Sequence, residues 1–130
     1  MIINEIEGVL ENTEFSNGVY FFEVNVKGDT FFVLQLQNGC DKLNTVKLRF
    51  RENDVSIAKN AISEISISNI HKAIVKSIEN GHLLARIELL YKGHLIYSLV
   101  TKKSLKKLNI KVNDEVYFLV KAISIEVLCE

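Results

Sequence analysis

A shift of 65 residues lays one half of this 130-residue chain over the other. Glu23-Val24-Asn25-Val26-Lys27-Gly28 falls on Glu88-Leu89-Leu90-Tyr91-Lys92-Gly93, and Glu7-Gly8-Val9 falls on Lys72-Ala73-Ile74. A tandem duplication of a small β-barrel is the economical reading; the plainer one is that any two β-hairpins look alike at this level. Duplication constrains the fold strongly. A unit of ~60 residues is only marginally able to bury a core alone, so two such units are expected to share an interface. We place the units at residues 1–58 and 59–130.

The runs within each copy are strand-like. The chain has no proline, six glycines and 48% hydrophobic residues, and its isoleucine and valine suit pleated, half-buried strands. Val46, Leu48 and Phe50 alternate with Lys47, Arg49 and Arg51 at the period of a sheet with one wet face. Gly18, Gly28, Gly81 and Gly93 mark turns. Tyr20, Phe21, Phe22, Phe31 and Phe32 crowd one hairpin, and neighbours along a strand face opposite ways, so about half of them are assigned to the core. Between its third and last strand the second copy carries Thr101 to Leu108, where Leu105 and Leu108 at i and i+3 predict a short helix docked by one face. The first copy has the less helical QNGCDKLNT there.

Sixteen basic and sixteen acidic residues cancel, so no global field favours nucleic acid or membranes. Cys40 and Cys129 form no metal-ligand spacing and are read as free thiols of a reducing cytosol. The N-terminus lacks the basic and apolar regions of a signal peptide, and no run reaches the ~20 apolar residues of a membrane span. The expectation is a cytoplasmic protein. His71, His82 and His94 belong to no triad or H-E-x-x-H spacing and are read as surface residues; no enzymatic activity is expected.

One local feature departs from neutrality. Thr101-Lys102-Lys103-Ser104 opens the predicted helix, and Lys106 and Lys107 follow. The first turn of a helix exposes unpaired N–H groups and partial positive charge. Thr101 at the N-cap and Ser104 at N3 would add hydroxyls around an oxyanion. The alternative is a solvated lysine face with ordinary capping.

The order of further segments resembles the Mop or TOBE family of molybdate-binding modules. That family's pattern is a Ser-x-Arg-Asn start, an Ile-Thr-x-x-Ser turn, a Leu-Gly-Leu-x-x-Gly-x-x-Val bend and an Ile-Lys-Ala/Ser close. Here the segments read Ser66-Ile67-Ser68-Asn69, Val100-Thr101-Lys102-Lys103-Ser104, Leu108 to Val116, and Val120-Lys121-Ala122. The match runs from Ser66 to Val127. The first half is similar more loosely, through Arg51-Glu52-Asn53-Asp54-Val55, which resembles the Arg-Pro-Glu-Asp-Val close of the first repeat in importer ATPase tails.

The resemblance implies an all-β fold of tandem OB-like five-stranded barrels, with one short helix in the second module. It implies modules that pair, often by strand exchange, with oxyanions at the interfaces. Ser66, Thr101 and Ser104 would donate hydrogen bonds to molybdate, or to tungstate of like size and charge, with Lys121 adding charge and the amide of Ala122 helping. Ser68 stands where the family often has arginine, so a bidentate guanidinium is missing; Lys72, Lys102 and His71 are the side chains available to replace it.

No GxxxxGK[ST] loop and no helix-turn-helix pattern accompany the repeats. The expected function is therefore oxyanion storage, delivery or control of uptake by a stand-alone protein, as a homodimer or higher homo-oligomer. A ligand-free subunit docking on a molybdate importer ATPase is the first alternative, and an OB-fold binder of single-stranded nucleic acid is the second.

Overall fold

In the computed structural model, which describes residues 1–36, 40–41 and 43–130, the strand-like runs form strands. β1 (Ile3–Ser16), β2 (Val19–Val26), β3 (Asp29–Gln35) and β4 (Thr45–Arg51) precede a 3₁₀ turn (Glu52–Asp54) and β5 (Ser56–Ala58). β6 (Asn69–Asn80), β7 (Leu84–Tyr91), β8 (His94–Thr101), α1 (Lys102–Leu108) and β9 (Glu115–Val120) precede a second 3₁₀ turn (Ala122–Ser124) and β10 (Glu126–Cys129). Of the segment QNGCDKLNT, residues 37–39 and 42 lie outside the described residues.

The strands form two five-stranded sheets, ordered β10-β4-β1-β2-β3 and β5-β9-β6-β7-β8. Each sheet takes its last strand from the other half of the sequence. β10 pairs with β4, setting Val127 opposite Leu48 and Cys129 opposite Val46. β5 pairs with β9, setting Ser56 opposite Leu119.

The correspondence between halves extends to irregularities. The register of β1 against β2 slips between Leu10 and Asn12, and that of β6 against β7 between Val75 and Ser77, which is the same place in each copy. Lys27-Gly28 and Lys92-Gly93 form the matching hairpin turns with all four residues at positive φ, as the tight hairpin connection requires. At this junction the Lys27 ammonium donates to the Lys92 carbonyl (2.7 Å) and the Lys92 ammonium to the Lys27 carbonyl (2.9 Å).

Two buried asparagines fasten one half to the other. The side chain of Asn4 binds the backbone N–H and C=O of Tyr97 at 2.8 and 3.0 Å, and Asn69 binds those of Phe32, both at 2.8 Å. Each satisfies backbone groups on a third strand's free edge from the opposite half, as buried polar groups require. A single core runs through both halves, from Ile6, Phe22 and Leu48 to Ile87, Tyr91 and Phe118. Val46, Leu48 and Phe50 are buried with Lys47 and Arg49 facing outward, as their alternation requires. Among the hairpin aromatics Phe22 and Phe31 are buried, while Phe21 and Phe32 stack on the other face with centroids 5.9 Å apart.

Two expectations are corrected. Cys40 and Cys129 are joined in a disulfide, with Cα atoms 5.8 Å apart. Their separation of 89 residues hid the pairing; the crossing of β10 into the first sheet brings Cys129 beside the loop that follows β3. The inference of a reducing compartment from free thiols loses its premise. His71 is no surface residue: only 9% of its side chain is exposed, and its ring stacks on Phe31 with centroids 4.0 Å apart. β6 turns it inward because it alternates with Asn69 and Ala73 on the buried face. His94 is half-buried, its Nε2 shielded from water.

Candidate functional site

The helix that sequence predicts is present over Lys102–Leu108, with Leu105 buried. Thr101 is its N-cap: its hydroxyl oxygen accepts from the Ser104 amide at 3.0 Å, and the two hydroxyls are 2.9 Å apart. The cap is closed on itself. Lys103, Lys106 and Lys107 face solvent around it.

Ser68 and Lys121 are brought together by register. β6 pairs with β9 so that Asn69 stands opposite Val120, and continuing that ladder by one residue sets Ser68 beside Lys121. The first half has the same arrangement, with Ile3 opposite Arg51. Lys121 opens the second 3₁₀ turn in extended conformation (φ −65°, ψ 142°). Among the described residues the amides of Ile67 and Ala122 donate to no protein acceptor. Ser66, two residues upstream of Ser68, is exposed, as are Ser68 and Lys121, while Ala122 is half-buried.

The six candidates therefore form two groups. Thr101 ends β8, which packs against the first 3₁₀ turn, and Ser104 lies in the first turn of α1; Ser68, Lys121 and Ala122 meet at the second 3₁₀ turn, which packs against β3, with Ser66 two residues before Ser68. Among the described residues no hydrogen bond or ion pair links one group to the other. Each 3₁₀ turn meets the third strand of the opposite half, because the strands that follow the turns are exchanged.

Of the proposed substitutes for the missing guanidinium, Lys72 faces Glu115 at 3.6 Å and His71 faces Asp29 at 3.6 Å, away from Ser68. Burial holds the His71 imidazole down to about 4, against the pull of Asp29. Asp29 also accepts from the Tyr91 hydroxyl (2.6 Å) and pairs with Lys92 (3.1 Å). Burial and this bond raise the Tyr91 phenol far above its usual range, and the cluster ties β3 to β6 and β7.

Sequence reasoning missed the most buried charge. Glu52, fully buried, accepts from the Ile2 amide (3.1 Å) and from Arg86 Nε and Nη2 (2.7 and 3.0 Å). The Arg86 guanidinium holds this carboxyl below its usual range, against the opposing effect of burial. Glu52 begins the first 3₁₀ turn as Ala122 begins the second, and its partner Arg86 lies 34 residues away, so no local pattern marks the pair.

A groove of about 1010 Å³ runs between β3 and β10, past Gln35, Arg49, Arg51, Ser124 and Glu126. None of the six candidates lines it.

Residues 65–127 match the TOBE domain. The molybdenum import ATP-binding protein ModC of Brucella abortus is 35% identical over 106 residues, covering 80% of this chain and 29% of that protein. The ModC proteins of Brucella suis and Brucella melitensis match to the same extent. This chain thus spans less than a third of these curated relatives. A crystal structure of the cytoplasmic molybdate-binding protein ModG with molybdate bound shares the fold, with a TM-score of 0.90 over 98% of this chain and 96% of that one, at 20% identity.

Proposed function

From the match of residues 65–127 to the TOBE domain we propose that the chain is a TOBE-family protein and a non-catalytic binder of molybdate or tungstate, serving storage, delivery or control of uptake. The two sheets are read as OB-like barrels. The names of its relatives, ModC as a molybdenum importer component and ModG as a molybdate-binding protein, support this ligand class. The observation that carries the reading is the second 3₁₀ turn: Lys121 opens it, the Ala122 amide is unengaged, and Ser68 stands alongside.

Ser68 and Lys121 are exposed in the single chain and Ala122 is half-buried. A dianion there remains hydrated and screened, and firm binding requires a second surface that excludes water and supplies further donors. We assign that surface to another copy, contributing Thr101 and Ser104, in a homodimer or higher homo-oligomer. Apolar side chains flank both groups and favour such contact: Leu83 and Leu84 beside Thr101 are 74% and 48% exposed, and Ile123 beside Ala122 is 74% exposed. A cytoplasmic location belongs to the same proposal. Among the described residues no helix is long and apolar enough to cross a membrane.

Titration calorimetry with molybdate, tungstate and sulfate tests the reading, alongside thermal melts. A ligand that binds only the folded state adds ~2.7 kcal/mol at one hundred times its dissociation constant. Lys121→Ala is expected to stay folded and lose binding, and Ser68→Arg to bind more tightly. Unaltered affinity in a folded Lys121→Ala protein removes the second turn from the site. No response of the wild-type melt to any of the three oxyanions favours instead a docking role on an importer ATPase, for which the missing guanidinium speaks.

A further inference from the structure

The two halves present the same backbone at their 3₁₀ turns and fill it differently. Arg51 and Lys121 precede the turns with φ of −83° and −65° and ψ of 149° and 142°. Val55 and Ile125 follow them, both extended, each donating its amide to the first carbonyl of its turn. Ile2 and Ile67 occupy equivalent places before β1 and β6, as do Ile3 beside Arg51 and Ser68 beside Lys121. Glu52 then corresponds to Ala122, and Arg86 to Phe21, by the shift of 65 that relates β2 to β7.

At the first turn a carboxylate is already enclosed by protein donors. Oε1 receives the Ile2 amide and Arg86 Nη2, and Oε2 receives Arg86 Nε. The group is wholly buried, and a charge in that position persists only when paired and hydrogen-bonded. Glu79 lies 3.7 Å from the remaining Arg86 nitrogen, so the guanidinium has acidic partners on both sides. At the second turn the corresponding side chain is a methyl group.

We propose that Glu52 is a built-in anion that fills the first of two symmetry-related oxyanion seats, so that each chain has one open seat, at Lys121–Ala122. The proposal rests on the oxyanion reading for the second turn only. Its physical basis at the first turn is independent of that reading: two donor-bearing groups, one guanidinium and one amide, hold an oxyanion that the chain itself supplies.

The test uses the full chain in three forms. Wild type is expected to take one molybdate per chain. Glu52→Ala is expected to melt lower and to recover with formate, a free carboxylate, which leaves the wild-type melt unchanged; it is also expected to take two molybdates per chain. Ala122→Glu places a carboxylate at the second turn and is expected to fold and to lose molybdate binding at least tenfold. Should Glu52→Ala not fold even in formate, Ala122→Glu carries the test. A wild type binding two per chain, an alanine variant that binds one and ignores formate, or Ala122→Glu binding like wild type would each overturn the proposal. A wild type that ignores molybdate while formate rescues Glu52→Ala upholds it and defeats the oxyanion reading of the second turn.

Discussion

His71 carries the clearest pH signature in the molecule. Its imidazole is buried against Phe31, Tyr91 and Phe118, with Asp29 and Lys92 as the charges facing it. The unfolded side chain takes up its proton near 6.5 and the folded one near 4, so between those values the unfolded state binds more protons and stability rises with pH. The contribution is complete above about pH 6.5 and is lost as the pH falls to about 4, amounting to ~3 kcal/mol. Urea denaturation across that range measures it, with His71→Phe expected to remove the slope while keeping the stacked ring. A wild-type profile that is flat there would mean that the imidazole is protonated in the folded state. Glu52 acts in the same sense at lower pH. Its depressed carboxyl stabilises the fold above the ordinary glutamate range, and that stability fades as acid finally protonates it.

Among elements, β10 has most to lose. It is four residues long, at the edge of the first sheet, and is fastened by its ladder to β4, by the Val127 amide donating to Gln35 (2.9 Å), and by the Cys40–Cys129 bond. Closing a loop of this length removes denatured-state entropy, and disulfides of this kind add ~2–4 kcal/mol. Reduction, or Cys129→Ser, is expected to lower stability by that amount and to loosen β10, which hydrogen exchange at Val127 and Leu128 would register. Alkylating the thiols in intact cells before extraction also tests the compartment. A bond present there tells against the cytoplasmic proposal, since cytosolic thiols are held reduced. The turns at Lys27-Gly28 and Lys92-Gly93 were readable from their glycines; the bulges that match between halves were not, because one extra residue in a strand leaves no compositional mark.

In the whole molecule the two groups of candidate residues stand apart. Thr101 ends β8, which packs against the first 3₁₀ turn, with Ser104 in the first turn of α1, and Lys121 and Ala122 form the approach to the second. Joining them across copies predicts an oligomer in sedimentation experiments. Leu83→Asp and Ile123→Asp are expected to dissociate it and to weaken molybdate binding in parallel. Full binding by a monomeric variant would return the site to a single chain.

What the sequence carried on its own is local and periodic: the strands and their buried faces, the helix over Lys102–Leu108 and its Thr101 cap, and the likeness of residues 66–127 to TOBE modules. Those properties depend on side chains a few residues apart, whose spacing matches the repeat of a strand or a helical turn. Only the tertiary structure decided the exchange of β5 and β10, the Cys40–Cys129 bond, the burial of His71 and the pairing of Glu52 with Arg86. Each joins residues from distant stretches of the chain, and their partners are chosen by which half's sheet edge a strand can reach rather than by anything written beside them.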